Sequence, residues 1–360
     1  MELGLEKCDK VVFKRGKLVH SQNVVTDINR EIQELEQGKT YKYLGTEESE
    51  GIQLQLMKER LKQEYSRRLR MILIYELKAR NKITGIGALA VPVLRYSFGI
   101  INWRTEQIKK IDRKTRQMPT MYKMHHPKAD IDRLYVKRKE GGRGLVQIEA
   151  AYKAEIFNIA EYLNTNYKED QFVNIVKSHE STQPNMNSII KTAAKITEEL
   201  SQPNEKSDAK QDGIQHTKAR LRESLKEKWK KEVMHGQYIR NIDRQLIREE
   251  DTFVWLSKGD LKTETESEIV AGQDQALQTK YYATKILNTE TDSKCCRLFQ
   301  QFDETIDHII SACPILAKEQ YIIRHDRVCA QLHFNICKET GVKLDKKHWY
   351  EHVPKLVETS

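Results

Sequence analysis

The chain has 360 residues, room for two or three domains and a sizeable core, but only 38% are hydrophobic against 32% charged, with a mean hydropathy of −0.71. Its 62 Lys and Arg oppose 52 Asp and Glu, a formal +10 with an isoelectric point near 9.1. That excludes an acidic solvating protein and makes an anionic partner worth seeking. The excess is local: residues 51–150 hold 23 cations and 9 anions, net +14, whereas the other 260 carry −4. A confined positive field points to nucleic acid, and a solvated helical surface that is merely basic is the alternative.

In chain order, Val11-Val12-Phe13 and Leu18-Val19 flank Lys14-Arg15-Gly16-Lys17, which predicts a hairpin. Tyr41-Lys42-Tyr43-Leu44-Gly45 is a third β-prone run, its aromatics two apart on one face. From Ile52 the period changes. Ile52, Leu56, Leu61, Tyr65, Leu69, Leu73 and Leu77 predict an amphipathic helix whose other face carries Lys58, Arg60, Lys62, Arg67, Arg68 and Arg70. The apolar stretch from Ile83 to Trp103 contains Pro92, Arg95 and three glycines and reads as buried core, not as a membrane span.

A second basic helix follows Asn102-Trp103-Arg104, with Lys109, Lys110, Arg113, Lys114 and Arg116, and is expected to halt near Pro119. Lys137-Arg138-Lys139-Glu140-Gly141-Gly142-Arg143-Gly144 reads as a flexible basic connector whose cations are free to follow phosphates, or as a solvated turn. Helical spacing runs from Ala151 to Leu163, and the polar segment from Ser201 to Asp208 marks a domain boundary. Lys218 to Met234 predicts a charged, solvated helix around Trp229. After Pro314 a long helix is expected, with Ile315, Leu316, Ile322, Ile323, Val328, Leu332 and Ile336 as its apolar set and Gly341 as its stop. Arg324, His325 and Arg327 share it, as phosphate contacts or ordinary surface.

Six cysteines (Cys8, Cys295, Cys296, Cys313, Cys329 and Cys337) are too few and too clustered for a disulfide scaffold and imply a reducing compartment. No apolar leader follows a basic start. The expectation is an intracellular protein, in nucleus or cytoplasm, with no membrane partner. Cys296, His308 and Cys313 have the one metal-like spacing. A fourth ligand belongs three residues past Cys296, with two between, where Phe299 cannot ligate, and Cys295 would serve only with a rearranged loop. A zinc site and a small knuckle of buried thiols and imidazole are both open.

Taken together, these strings resemble a known family. Gly4-Leu5-Glu6-Lys7-Cys8, Tyr41 to Gly45, Pro92-Val93-Leu94-Arg95-Tyr96-Ser97, Asn102-Trp103, Gly141-Gly142-Arg143-Gly144-Leu145 and the degenerate knuckle occur in an order similar to the polymerase protein of non-LTR retrotransposons that carry a restriction-like endonuclease. The resemblance spans nearly the whole chain. It implies a mainly α fold with a small α+β start: a palm remnant with a primer-grip strand over 1–50, a basic helical thumb over 51–135, a connector and helices over 136–200, a linker over 201–213, a helical linker domain over 214–290, and a degenerate CCHC-like knuckle with a long helix over 291–360.

Carried over by position, Lys7 becomes the lysine of the fourth polymerase motif, and Tyr41, Lys42, Tyr43, Leu44 and Gly45 the primer grip. Arg60, Arg67, Arg68, Arg70, Lys109, Lys110, Arg113, Lys114, Arg116, Lys137, Arg138, Lys139 and Arg143 become backbone contacts to RNA or DNA. Cys296, His308 and Cys313 become three zinc ligands, with Phe299 the departure. Polymerisation needs two metal ions held by aspartates, which the family carries in a Tyr-x-Asp-Asp motif and an earlier aspartate motif, both before the string that here begins at Met1. The family's endonuclease Pro-Asp motif is expected beyond Ser360. Neither string occurs in the 360 residues. The expectation is therefore a truncated, catalytically incomplete retroelement product that is not an enzyme, binds no productive Mg2+ and holds nucleic-acid backbone without reading sequence. A helical interaction or scaffold protein derived from such an element is the alternative.

Overall fold

A computed structural model describes residues 9–15, 17–20, 24–25, 31–35, 39–43, 45–48, 53–184, 188–200, 213–242, 248–289, 294–344 and 347–353. The described chain is mainly helical with a small β start, and it separates into two units, one of residues 1–125 with 130–267 and one of 126–129 with 268–360. Lys7, Leu44 and the linker expected over 201–213, Gly213 apart, lie outside the described residues.

In the first unit the predicted hairpin forms from Phe13–Lys14 against Lys17–Leu18, and a three-stranded set pairs Glu31–Glu34 in parallel with Asp9–Lys10 and antiparallel with Val24–Val25. Tyr41–Tyr43 pairs antiparallel with Thr46–Glu48 about Gly45, whose φ of +86° only glycine takes readily. The hairpin is fixed to the following helix, Leu54–Ile74. The Gln53 N–H donates to the Glu47 carbonyl at 2.9 Å, and the Glu47 carboxylate accepts from Thr40 Oγ1 and is paired with Arg60.

The Leu54–Ile74 helix buries Met57, Tyr65, Leu69, Ile72 and Leu73, while Leu56 is exposed and Leu77 lies beyond its end. A series of four-residue steps turns by about 40° per step, so it cannot keep one face over five turns, and Met57 takes the place expected of Leu56. Lys58, expected on the solvent face, is buried against Trp103. The stretch from Ile83 to Trp103 is core, as its composition predicts, with Ile83, Ile86, Leu94, Phe98 and Trp103 buried. The Thr105–Met121 helix runs two residues past Pro119 and lays Ile108, Ile111 and Met118 inward. Its Thr115 hydroxyl meets the Tyr65 hydroxyl at 2.8 Å.

Ile148–Asn166 forms around the predicted Ala151–Leu163 spacing, and its Ile156 and Ala160 pack with Ala193 and Ile196 of the Ile189–Leu200 helix. The Gly213–Lys231 helix is not solvated all round, because Trp229 has no exposure and stacks over the Arg133 guanidinium, 4.7 Å from ring centre to Cζ.

The second unit contains Lys280–Lys285, a loop closed by Glu304, and one long helical run from Pro314 to Glu339 that passes through a π-turn at Ala317–Tyr321. Glu304 accepts from the Lys280 N–H, the Arg297 N–H and the Arg297 guanidinium at 2.8–3.1 Å. Burial pushes its carboxyl up, but these hydrogen bonds outweigh that and hold it at about 2. Gly341 follows the long helix with φ +74°, as its expected stop. The apolar set of that helix is not core: Ile315, Ile322, Ile323, Val328, Leu332 and Ile336 are all exposed. No helix among the described residues is long and apolar enough to cross a membrane.

Candidate nucleic-acid interface and metal centre

Three separate stretches of chain bring cations to a furrow of the first unit made of two neighbouring clefts. Lys42 and Gly45 of the hairpin and Arg60 and Arg67 of the Leu54–Ile74 helix line its upper part. Lys62, Arg67 and Arg70 line its continuation, together with Lys114 from the Thr105–Met121 helix. Gln63 and Arg67 line both clefts, so the two adjoin at these side chains. Helical spacing places Arg60, Gln63, Arg67 and Arg70 on one stripe, since residues three or four apart are neighbours on a helix surface.

The cations are not equally available. Arg67 and Arg68 both grip Glu64 at 2.7 Å, and their hydrogen bonds pull its carboxyl down to about 2. Arg68 also donates to the Leu89 carbonyl, and Arg60 is paired with Glu47. Arg70 and Lys114 are exposed, while Lys62 is half-buried with its ammonium 5.7 Å from the Trp103 ring centre. Lys109, Lys110 and Arg113 are exposed on the same helix as Lys114 but do not line the furrow, and Arg116 donates to the Tyr135 hydroxyl. Tyr41 is half-buried and Lys42 exposed on their strand.

The connector expected over 137–144 is a correction. Arg138 places its guanidinium bidentate on Glu266, at 2.9 and 2.5 Å, and donates to the Leu256 carbonyl at 2.7 Å. Arg143 has no exposure, lies 2.8 Å from the same carboxylate and donates to the Met124 carbonyl. Neither side chain can reach a phosphate. The glycines serve packing: a Cβ at Gly141 would run into the Phe253 ring, and one at Gly142 into the Val136 carbonyl. Of this stretch Lys139 alone is fully exposed, and Lys137 is paired with Glu140. The partner of both arginines lies more than a hundred residues along the chain, so no local pattern announces it.

In the second unit Cys296, His308 and Cys313 converge. All three are buried, their ligand atoms lie within 4.8 Å of one another, and the two sulfurs are 4.0 Å apart. Tetrahedral zinc with bonds of about 2.3 Å holds two sulfurs about 3.8 Å apart. His308 Nε2 is buried with no hydrogen-bond partner, the condition of an imidazole whose lone pair is meant for an ion. The Leu316 N–H lowers the Cys313 thiol against the upward push of burial, which favours the thiolate that metals bind. Phe299, at the position of the missing fourth ligand, stacks on Phe302, and Cys295 stands outside the group. These residues can hold a metal ion with three ligands.

Comparison with known proteins adds no name to this geometry: no model of a known protein family matches the chain, and no curated protein matches it.

Proposed function

We propose that the first unit binds the phosphate backbone of RNA or DNA along the furrow, as the thumb of a retroelement polymerase-like protein. The observation that carries the reading is that Lys42 lines one cleft and Lys62, Arg70 and Lys114 the adjoining one, with Arg67 lining both, so that three stretches of chain place cations side by side. The ordered strings that resemble the non-LTR retrotransposon polymerase support the same assignment, with the hairpin from Tyr41 as the primer-grip element beside the groove. Binding of this kind is driven by release of counterions from phosphates, with no contact to base edges and therefore no sequence preference. Zinc, held by Cys296, His308 and Cys313, would supply structural cross-linking of the knuckle.

The test is affinity for a mixed-sequence duplex and a single strand as a function of salt. With about five phosphates neutralised, affinity should fall by two to three decades between about 50 and 200 mM salt. Lys62→Ala, Arg70→Ala and Lys114→Ala should each lower the logarithmic salt slope by about one. Lys139→Ala, exposed but not among the residues that line the furrow, should leave it unchanged. A flat salt profile, or wild-type slopes in all three variants, would overturn the reading. In that outcome the exposed apolar face from Ile322 to Ile336 favours the alternative, a helical scaffold protein whose partner survives nuclease treatment.

A further inference from the structure

The geometry points to a second metal site in the same unit, formed by His333, Cys337 and His352. His333 and Cys337 stand four apart on the Ile322–Glu339 helix and so share one face. His352 reaches them from the end of the Trp349–Glu351 turn, fifteen residues beyond Cys337. The ligand atoms of all three lie within 4.8 Å of one another. His333 Nδ1 is 2.8 Å from His352 Nε2, the two rings are stacked with 19° between their planes, and Cys337 Sγ is 3.6 Å from His333 Nδ1. A tetrahedral zinc ion sets nitrogen and sulfur about 3.6 Å apart and two nitrogens about 3.3 Å apart. The trio therefore needs an outward shift of only about half an ångström at one imidazole to surround an ion.

The same helix supplies an internal comparison. His325 and Cys329 repeat the four-residue spacing about two turns earlier, with the sulfur 3.6 Å from His325 Nε2, but both are exposed and no third ligand joins them among the described residues. At 333 and 337 the cysteine is buried, both imidazoles are half-buried, and the third ligand is present. Two nitrogens and one thiolate suit zinc, with the fourth position left to water or an external donor.

The surroundings explain what the ion would do. The long helix exposes most of its apolar residues, and it meets the segment after Trp349 through Phe334 against the His352 ring and the stacked His333–His352 pair. An ion bridging His333, Cys337 and His352 would fasten that turn to the helix, and its binding free energy would become folding free energy of this segment.

The test uses the reduced full-length chain, stripped with chelator and titrated with Co2+, whose thiolate charge-transfer band reports sulfur ligation. Cys337→Ser and His352→Ala should each bind one equivalent fewer than wild type, and Cys329→Ser should bind as much as wild type. Equal uptake by all four proteins would overturn the site. A second measurement avoids variants: Zn2+ should slow alkylation of Cys337 in the wild-type chain by about tenfold or more while leaving Cys329 unchanged, as metal ligation removes the free thiolate. Equal Cys337 rates with and without Zn2+ would also overturn it. Neither readout involves nucleic acid, so the outcome is independent of the furrow.

Discussion

Glu266 answers two guanidinium groups at once, Arg138 at the edge of the interior and Arg143 fully inside it. Burial pulls Arg143 down to about 10 even with Glu266 raising it, so the guanidinium stays charged and depends on that carboxylate for its counter-charge. Glu266→Gln leaves one buried cation without its counter-charge, and unfolding by denaturant should register a loss of about 3–5 kcal/mol. Glu64 is the contrast. It also holds two arginines, but at an exposed helix surface, and Glu64→Gln should cost less than about 1 kcal/mol in the same measurement. Two carboxylates with the same number of partners are thus separated by solvent alone.

At the scale of elements, the start of the Ile148–Asn166 helix is held by a residue outside it. Gln147 gives no side-chain cap, and Asp112 of the Thr105–Met121 helix accepts from the Ile148 and Glu149 N–H groups at 2.7 and 2.8 Å. Asp112→Ala removes both acceptors and should cost about 1–2 kcal/mol. Burial raises the Asp112 carboxyl to about 6 against the downward pull of those hydrogen bonds. A raised acid binds its proton more tightly when folded, so its contribution is largest below its ordinary value near 4 and declines as pH rises through 6. The stability difference between wild type and Asp112→Asn, followed by denaturant melts from pH 4 to 7, should therefore shift toward the variant as pH rises. The helix itself was legible in the spacing of Ala151 to Leu163, because amphipathic periodicity is a local property. Its cap was not, since it arrives from 36 residues away.

For the molecule as a whole, the charge count overstates the field. Of the cations in the +14 segment, Lys58, Lys82, Arg133 and Arg143 are buried, and Arg138 is committed to Glu266. What faces outward is a narrower set, which the sequence located to the right region without separating inward from outward arginines. The furrow itself was half legible: the hairpin string and the basic helix were both visible, but their adjacency depends on Glu47 tying one to the other. The trio of His333, Cys337 and His352 was not read from the sequence: the four-residue step from His333 to Cys337 is its only local trace, and the third ligand lies too far along the chain to be tied to it. The position of Trp103 has an optical consequence. Its ring is buried with Lys58 and Lys62 over its face, and Lys62 also lines the furrow, so an anion that draws that ammonium outward changes the electric field at the indole. The Trp103 share of the emission, read among the four tryptophans as the difference between wild type and Trp103→Phe, should shift when an anion fills the cleft at Lys62 and stay fixed in Lys62→Ala.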